Sequence, residues 1–329
     1  MKALCVTHFS ETLEAINLLE IDKPKPVKGE VLIKVECGGA FPADNLLLSN
    51  DYIIEPELPF TCGRMGVGRV VENGGGFLGR RIMGRRVFFG TTPDRGGSWA
   101  EYSVASSEFC VPVGIQTAEA AVQMGNGLTA AVLLRLTKEK SAKALIVNAA
   151  ASSLGKQINF LAQAKGVPLI NIIRSDEQAS LLKSIGAEHI LDQKSESFET
   201  ELKALAHELE ASLAIDSVGG PMPQLLLDTM PEYSTVTHIG NLSGQDAQIN
   251  TLKTLTARHQ KLEGFEVAGW LAAQNLWTKL SILSDAKRLG EQLASITQAR
   301  LKVSLEQAEC EPELLFKDTT KGVALIYPE

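Results

Sequence analysis

Ala144-Leu145-Ile146-Val147-Asn148-Ala149-Ala150-Ala151-Ser152-Ser153-Leu154-Gly155 is the stretch on which the fold turns. It opens as a continuous apolar run, the signature of a strand buried on both faces. It then passes through small residues into a helical segment, Leu154 to Ala164. Outward from it the alternation continues. Strands are predicted at 168–173, 189–191, 213–215 and 235–239, and helices at 177–184, 198–209 and 222–229. That order is β-α-β-α-β-α-β-α-β, which reads as a doubly wound parallel sheet in an α/β protein.

The texture upstream is different. Up to about residue 118, short apolar runs at 31–35, 68–72 and 86–89 are punctuated by Pro24, Pro26, Gly29, Gly74-Gly75-Gly76 and Gly96-Gly97. Short strands at that spacing predict a β-rich, barrel-like unit. After about 262 the order loosens into helices at 267–276 and 286–297 and strands at 301–305 and 323–327. A closing C-terminal strand fits a chain that returns to its first domain. The expected organisation is therefore residues 1–118 with 262–329 as one domain, and 119–261 as the nucleotide-binding domain. There is no internal repeat.

The chain has 329 residues and a formal net charge of −7. An acidic chain of this size is not a general nucleic-acid binder, which needs a basic face. No run approaches the roughly 18 apolar residues of a membrane helix, so no membrane partner is expected. The start, Met1-Lys2-Ala3-Leu4-Cys5-Val6, is too short and polar for the apolar region of a signal peptide. The five cysteines are scattered without a C-x-x-C, which argues against a disulfide framework or zinc knuckle and for a cytoplasmic chain with reduced thiols. The five histidines have no ligand spacing, and His189 and His238 fall at strands as structural residues. Without Gly-x-Ser-x-Gly or Ser-His-Asp logic, hydrolysis is disfavoured.

The loop after the first buried strand is where a dinucleotide-binding unit places its glycine-rich turn. Ala150, Ser152, Ser153, Leu154 and Gly155 are the candidate contacts, and the small residues of this loop let backbone N–H groups reach a pyrophosphate at a helix N-terminus. Only Gly155 survives of the usual glycines, so a plain strand–turn–helix is the competing reading. Arg174 and Ser175 end the second strand. Arg174 suits the 2′-phosphate of NADPH; Asp176, two residues on, would instead suit a ribose hydroxyl.

Several segments together carry a resemblance covering nearly the whole chain. They are Gly29-Glu30-Val31-Leu32-Ile33-Lys34-Val35, Leu58-Pro59-Phe60, Gly97-Ser98-Trp99-Ala100-Glu101-Tyr102, Leu182-Lys183-Ser184-Ile185-Gly186-Ala187, Asp216-Ser217-Val218-Gly219-Gly220 and Gly240-Asn241-Leu242-Ser243-Gly244. The sequence resembles the medium-chain dehydrogenase/reductase superfamily. That resemblance implies a GroES-like catalytic domain interrupted by a Rossmann domain, hydride transfer from a nicotinamide, and a homodimer. The edge-strand candidates for that dimer are the runs 235–239 and 262–267. It also assigns Asn126 and Thr129, in Asn126-Gly127-Leu128-Thr129, and Gly240 and Asn241 to the cofactor.

In zinc-dependent members a Cys stands where Phe41 stands here, and their Gly-His-Glu motif matches Gly63-Arg64-Met65. Neither Phe nor Met supplies a hard or imidazole ligand, and protonated Arg cannot ligate. The cysteine lobe for structural zinc is also missing between Arg86 and Trp99. The chain thus resembles the zinc-independent branch, the NADPH:quinone oxidoreductases and 2-enoyl thioester reductases, with no metal expected. In that branch Tyr52 matches the proposed proton donor, while the usual Asn is replaced by Phe41. Arg64 either polarises a substrate carbonyl in place of a metal ion or serves as a salt bridge. Tyr52 either donates a proton or packs in its loop. Phe41, Met65 and Trp270 would form an apolar wall for a small flat or acyl substrate. The expected activity is NADPH-dependent, metal-free hydride transfer to a quinone or an activated C=C. The alternative is a catalytically silent NADPH-binding sensor.

Overall fold

The structure, a computed structural model, describes residues 1–10, 13–48, 56–114, 117–293, 299–317 and 321–328. The chain separates into two compact units, one of residues 1–125 with 290–329 and one of residues 126–289.

The first unit is built on two sheets. Strands β1 (Lys2–Val6), β2 (Ile16–Glu20) and β4 (Phe60–Thr61) form the smaller, in the order β2-β1-β4. The larger runs β15 (Leu301–Ser304), β16 (Ala324–Tyr327), β3 (Glu30–Ala40), β5 (Met65–Asn73), β6 (Arg86–Gly90) and β8 (Cys110–Pro112), and β7 (Tyr102–Ser106) pairs β3 as well. β3 is long enough to take β7 along residues 30–34 and β16 along residues 38–40, with register shifts against β5 at Leu32/Ile33 and Val35/Cys37. Such shifts bend a strand and let one sheet curl. Trp99 is fully buried beneath it, its indole N–H donating to Gly39 O at 3.0 Å. Gly63 lies against that indole with φ +87°, and a Cβ there would come within 2.3 Å of the ring. No other residue fits the position.

The second unit is a six-stranded, wholly parallel sheet. Its strands are β9 (Leu145–Val147), β10 (Leu169–Ile173), β11 (His189–Asp192), β12 (Leu213–Asp216), β13 (Thr235–His238) and β14 (Lys261–Gly264), in spatial order β11-β10-β9-β12-β13-β14. Counted along the sheet, that is 3-2-1-4-5-6, the Rossmann order. Helices α5 (Ser153–Lys165), α6 (Asp176–Ser184), α7 (Phe198–Glu208) and α8 (Met222–Thr229) link successive strands. Leu145, Ile146, Ile170, Leu213, Ala214, Ile215 and Val236 are fully buried, as strands covered on both faces require. Serine caps start two helices, Ser152 on α5 and Ser175 on α6, and Gly166 closes α5 in the left-handed region.

The parallel sheet includes β14, which pairs β13, and the second unit continues through α9 (Val267–Ala272) and most of α10 (Leu276–Leu293). It begins at Asn126, inside α4 (Met124–Glu139). The run 235–239 is not an edge: β13 is paired on both sides, by β12 and β14, and β14 ends the sheet. Thr235 and Thr237 are both buried, and Thr237 donates to Glu263 at 2.9 Å.

Candidate active site

In the second unit, the expected cofactor residues at 150–155, 174–175 and 240–241 follow the carboxyl ends of β9, β10 and β13, where ligands bind in open α/β sheets. The strand order reverses between β9 and β12, and the loop Asn148–Ser152 leaves β9 at that point. Ala149 holds a left-handed φ of +49°, unusual for a side chain, which turns the loop sharply toward α5. A Cβ on Gly155 would meet Ala150 O at 2.2 Å, so the helix packs onto the loop with nothing but hydrogen to spare. Ser152 accepts from Gly155 N at 3.1 Å. The N–H groups of Ser153 and Leu154 belong to the first turn, which a helix cannot satisfy internally. The Ser153 hydroxyl is buried and has no hydrogen-bond partner among the described residues. A buried donor without an acceptor, beside a helix N-terminus, fits an anionic group such as a pyrophosphate.

Arg174 follows β10. Its backbone N–H donates to Gln178 Oε1 at 3.0 Å, while its side chain is exposed. Ser175 caps α6 and accepts from Gln178 N at 3.4 Å. Asp176 stands exposed in the first turn of α6. Asn126 and Thr129 lie three residues apart on α4, both half-buried, and that spacing puts them on one helix face. Gly240 and Asn241 follow β13. Asn241 Oδ1 is occupied within its own turn, accepting from Ser243 Oγ at 3.1 Å and Gln245 N at 3.2 Å.

A polar chain at these strand ends escaped the sequence reading. Asn148 directly follows β9, Asp216 ends β12 and His238 ends β13. The Asn148 amide donates to Asp216 Oδ1 and accepts from Ser217 N at 2.8 Å. His238 Nδ1 lies 2.6 Å from Asp216 Oδ2. Val218 N and Gly219 N also donate to the same fully buried carboxyl. His238, expected only as a strand residue, is thereby tied to the nucleotide edge of the sheet. The signal was a polar residue closing each of three neighbouring strands. A second buried pair stiffens α5 against β10: Asn159 Nδ2 donates to Asn171 Oδ1 at 2.6 Å.

In the first unit, β3 runs into Phe41 and then α1 (Pro42–Leu48). Phe41 is buried in a cluster with Val67, Phe88, Val122 and Met124, and Met65 packs against that cluster. Asp44, buried in α1, accepts from Phe41 N at 2.8 Å and from Arg64 N at 2.9 Å. It thereby ties the start of α1 to the loop before β5. Burial pushes its carboxyl up to about 6, against the pull of those N–H groups and of the Arg64 charge. Arg64, half-buried, sits one residue before the first residue of β5, and its carbonyl accepts from Thr91 N. Arg64, Met65, Asp44 and Phe41 are therefore brought together. Trp270 belongs to the second unit, on α9, with its ring 6.2 Å from that of Phe265. Tyr52 lies outside the described residues.

Family models match both parts of the chain: the alcohol dehydrogenase GroES-like domain over residues 27–115, and the zinc-binding dehydrogenase over residues 153–281. A quinone oxidoreductase from Pseudomonas aeruginosa is 32% identical over 240 residues, 72% of this chain and 73% of the relative. The mitochondrial enoyl-[acyl-carrier-protein] reductase of Xenopus tropicalis is 28% identical over 279 residues, 82% of this chain and 78% of the relative. Among solved structures, a Mesorhizobium loti protein assigned as an NADPH:quinone reductase superposes with a TM-score of 0.90 at 30% identity, covering 100% of this chain and 98% of that one.

Proposed function

The chain belongs to the medium-chain dehydrogenase/reductase superfamily, and on that premise we propose that it is an NADPH-dependent, metal-free oxidoreductase that reduces a quinone or an activated C=C. The observation that carries the reading is the β9–α5 loop: a tight turn of small residues at the switch point of a 3-2-1-4-5-6 sheet, closed by Gly155 and holding the unpartnered Ser153 hydroxyl. NADPH, when bound, supplies the hydride. Ala150, Ser152, Ser153, Leu154 and Gly155 would hold its pyrophosphate, and Arg174 and Ser175 its 2′-phosphate. Asn126, Thr129, Gly240 and Asn241 would complete the cofactor contacts.

The acceptor gains one hydride and one proton, and its carbonyl oxygen gains negative charge before the proton arrives. Arg64 stabilises that charge electrostatically. Tyr52 donates the proton from its phenol. Phe41 and Met65, in one apolar cluster, supply the apolar wall for a flat or acyl acceptor. The metal-free part of the reading rests on donor chemistry: Phe41, Arg64 and Met65 stand where a metal would need a thiolate, an imidazole and a carboxylate. A homodimer would use β14, the end of the parallel sheet.

The test follows NADPH and NADH oxidation at the nicotinamide absorbance band, with a chelator present, against a short enoyl-CoA and a simple quinone. Turnover with NADPH in the chelator is the expected result. Enoyl thioester reduction should then fall about 10²–10⁴-fold in Tyr52→Phe. Turnover of quinone alone would remove Tyr52 from the chemistry. NADPH binding without turnover of any acceptor would overturn the enzyme reading.

A further inference from the structure

From Asn73 to Pro93 the chain carries four arginines and no acidic residue, against a net charge of −7 for the whole. The segment includes α2 (Phe77–Ile82), of which only Gly79 and Ile82 are buried. Phe77 is 70% exposed, Leu78 47%, and Met83, just beyond the helix, 42%. Arg80, Arg81 and Arg85 are exposed among them. Among the described residues none of these three is in an ion pair, whereas Arg86 is paired with Glu36. The Arg81 guanidinium stands 5.6 Å from the Phe77 ring. The exposed Glu108 lies at the rim, on the turn that packs beside α2.

A single exposed apolar side chain needs no explanation, but three in seven positions, interleaved with three unpaired guanidiniums, mark a contact surface. We propose that this face is a peripheral docking surface for an anionic lipid layer. Phe77, Leu78 and Met83 enter the boundary between headgroups and acyl chains, and Arg80, Arg81 and Arg85 meet the headgroup phosphates. Charge complementarity selects this occupant. A second copy of the chain would set these arginines against their own kind. A nucleic acid would use the arginines and leave the three apolar side chains against a charged backbone. A lipid surface takes both and needs no pocket to match a convex helical turn. The absence of a long apolar run in the sequence bears only on spanning, and among the described residues no helix is long and apolar enough to cross a membrane. Lying on a surface makes no such demand. The proposal does not rest on the identity of the electron acceptor.

The test is cosedimentation of the full chain with vesicles of phosphatidylcholine alone and of phosphatidylcholine mixed equally with phosphatidylglycerol. Pelleting with the mixed vesicles only is expected, with release near 1 M salt, where screening acts within about 3 Å. Each of Arg80→Gln, Arg81→Gln and Arg85→Gln should weaken binding about fivefold. The double variant Phe77→Ser with Met83→Ser should stay in the supernatant while melting and binding NADPH as the parent does. No pelleting of the parent, equal pelleting on both vesicle types, or a double variant that pellets like the parent would each overturn the proposal. A concentration-dependent dimer abolished by Phe77→Ser, without pelleting, would assign the face to a second copy instead. Binding of a polyglutamate peptide in preference to the mixed vesicles would assign it to an acidic protein.

Discussion

The β9–α5 loop of the second unit and the Phe41–Arg64 neighbourhood of the first differ in which atoms carry the work. The loop departs from the usual glycines at most positions, yet Ala149 takes a left-handed φ and Gly155 keeps the close approach to Ala150 O. Its proposed functional groups are backbone N–H and a serine hydroxyl, for which many small residues serve equally well. In the first unit the proposed functional groups are side chains. Replacing a cysteine, a histidine and a glutamate by Phe41, Arg64 and Met65 changes what chemistry is available there. Backbone-borne sites tolerate substitution and stay recognisable by position; side-chain-borne sites do not.

The sharpest way to break this contrast is Gly155→Val. Added carbons would overlap Ala150 O, so NADPH binding should be lost altogether, with a fall in stability of about 1–3 kcal/mol from overpacking. Tryptophan or NADPH fluorescence titration beside a thermal melt reads both. Retained binding would show that the loop adapts and that its glycine is dispensable.

Arg64→Gln tests the other side. It should lower kcat about 10²–10³-fold, as removal of one charge-stabilising donor does elsewhere, and leave NADPH affinity unchanged. An unchanged kcat would make Arg64 a structural residue beside Asp44. Asp44 itself offers a titration. Its folded value near 6 lies above the ordinary 3.8, so the fold favours the protonated form. That contribution is complete below about pH 4 and is lost as pH rises through about 6, amounting to about 3 kcal/mol. Denaturant unfolding of the parent and of Asp44→Asn across this range should show the difference between them shrinking as pH rises. A flat difference would mean that the two N–H donors and Arg64 balance burial, and a growing one that they outweigh it.

Arg174→Ala should weaken NADPH about ten- to a hundredfold and leave NADH nearly unchanged, a smaller change confined to one phosphate. Isothermal titration with both nucleotides decides it. Equal losses would return the 2′ position to Asp176 and its hydroxyl reading.

Much of the second unit was legible because buried parallel strands are nearly pure apolar runs and their crossover helices carry serine caps and closing glycines. β14 was harder: Lys261-Leu262-Glu263-Gly264 has two charged residues in four, because an edge strand is covered less fully and its Glu263 reaches Thr237 and Lys140. The Asn148–Asp216–His238 chain was hidden for another reason. Its three members lie 22 to 90 positions apart in sequence, and only parallel registration of β9, β12 and β13 places their ends side by side. That the buried Asp44 carboxyl accepts from Arg64 N required the loop before β5 to fold against α1.

By itself the sequence determined the two textures and the order of strands and helices in the parallel unit. These follow from local periodicity and residue chemistry, which need no partner distant in the chain. The tertiary structure alone decided where the units divide, which strand ends the sheet, how Asp216 gathers its donors, and that three arginines and three apolar side chains share one exposed turn. Those facts depend on which surfaces become buried, and burial is a property of the packed chain rather than of any segment of it.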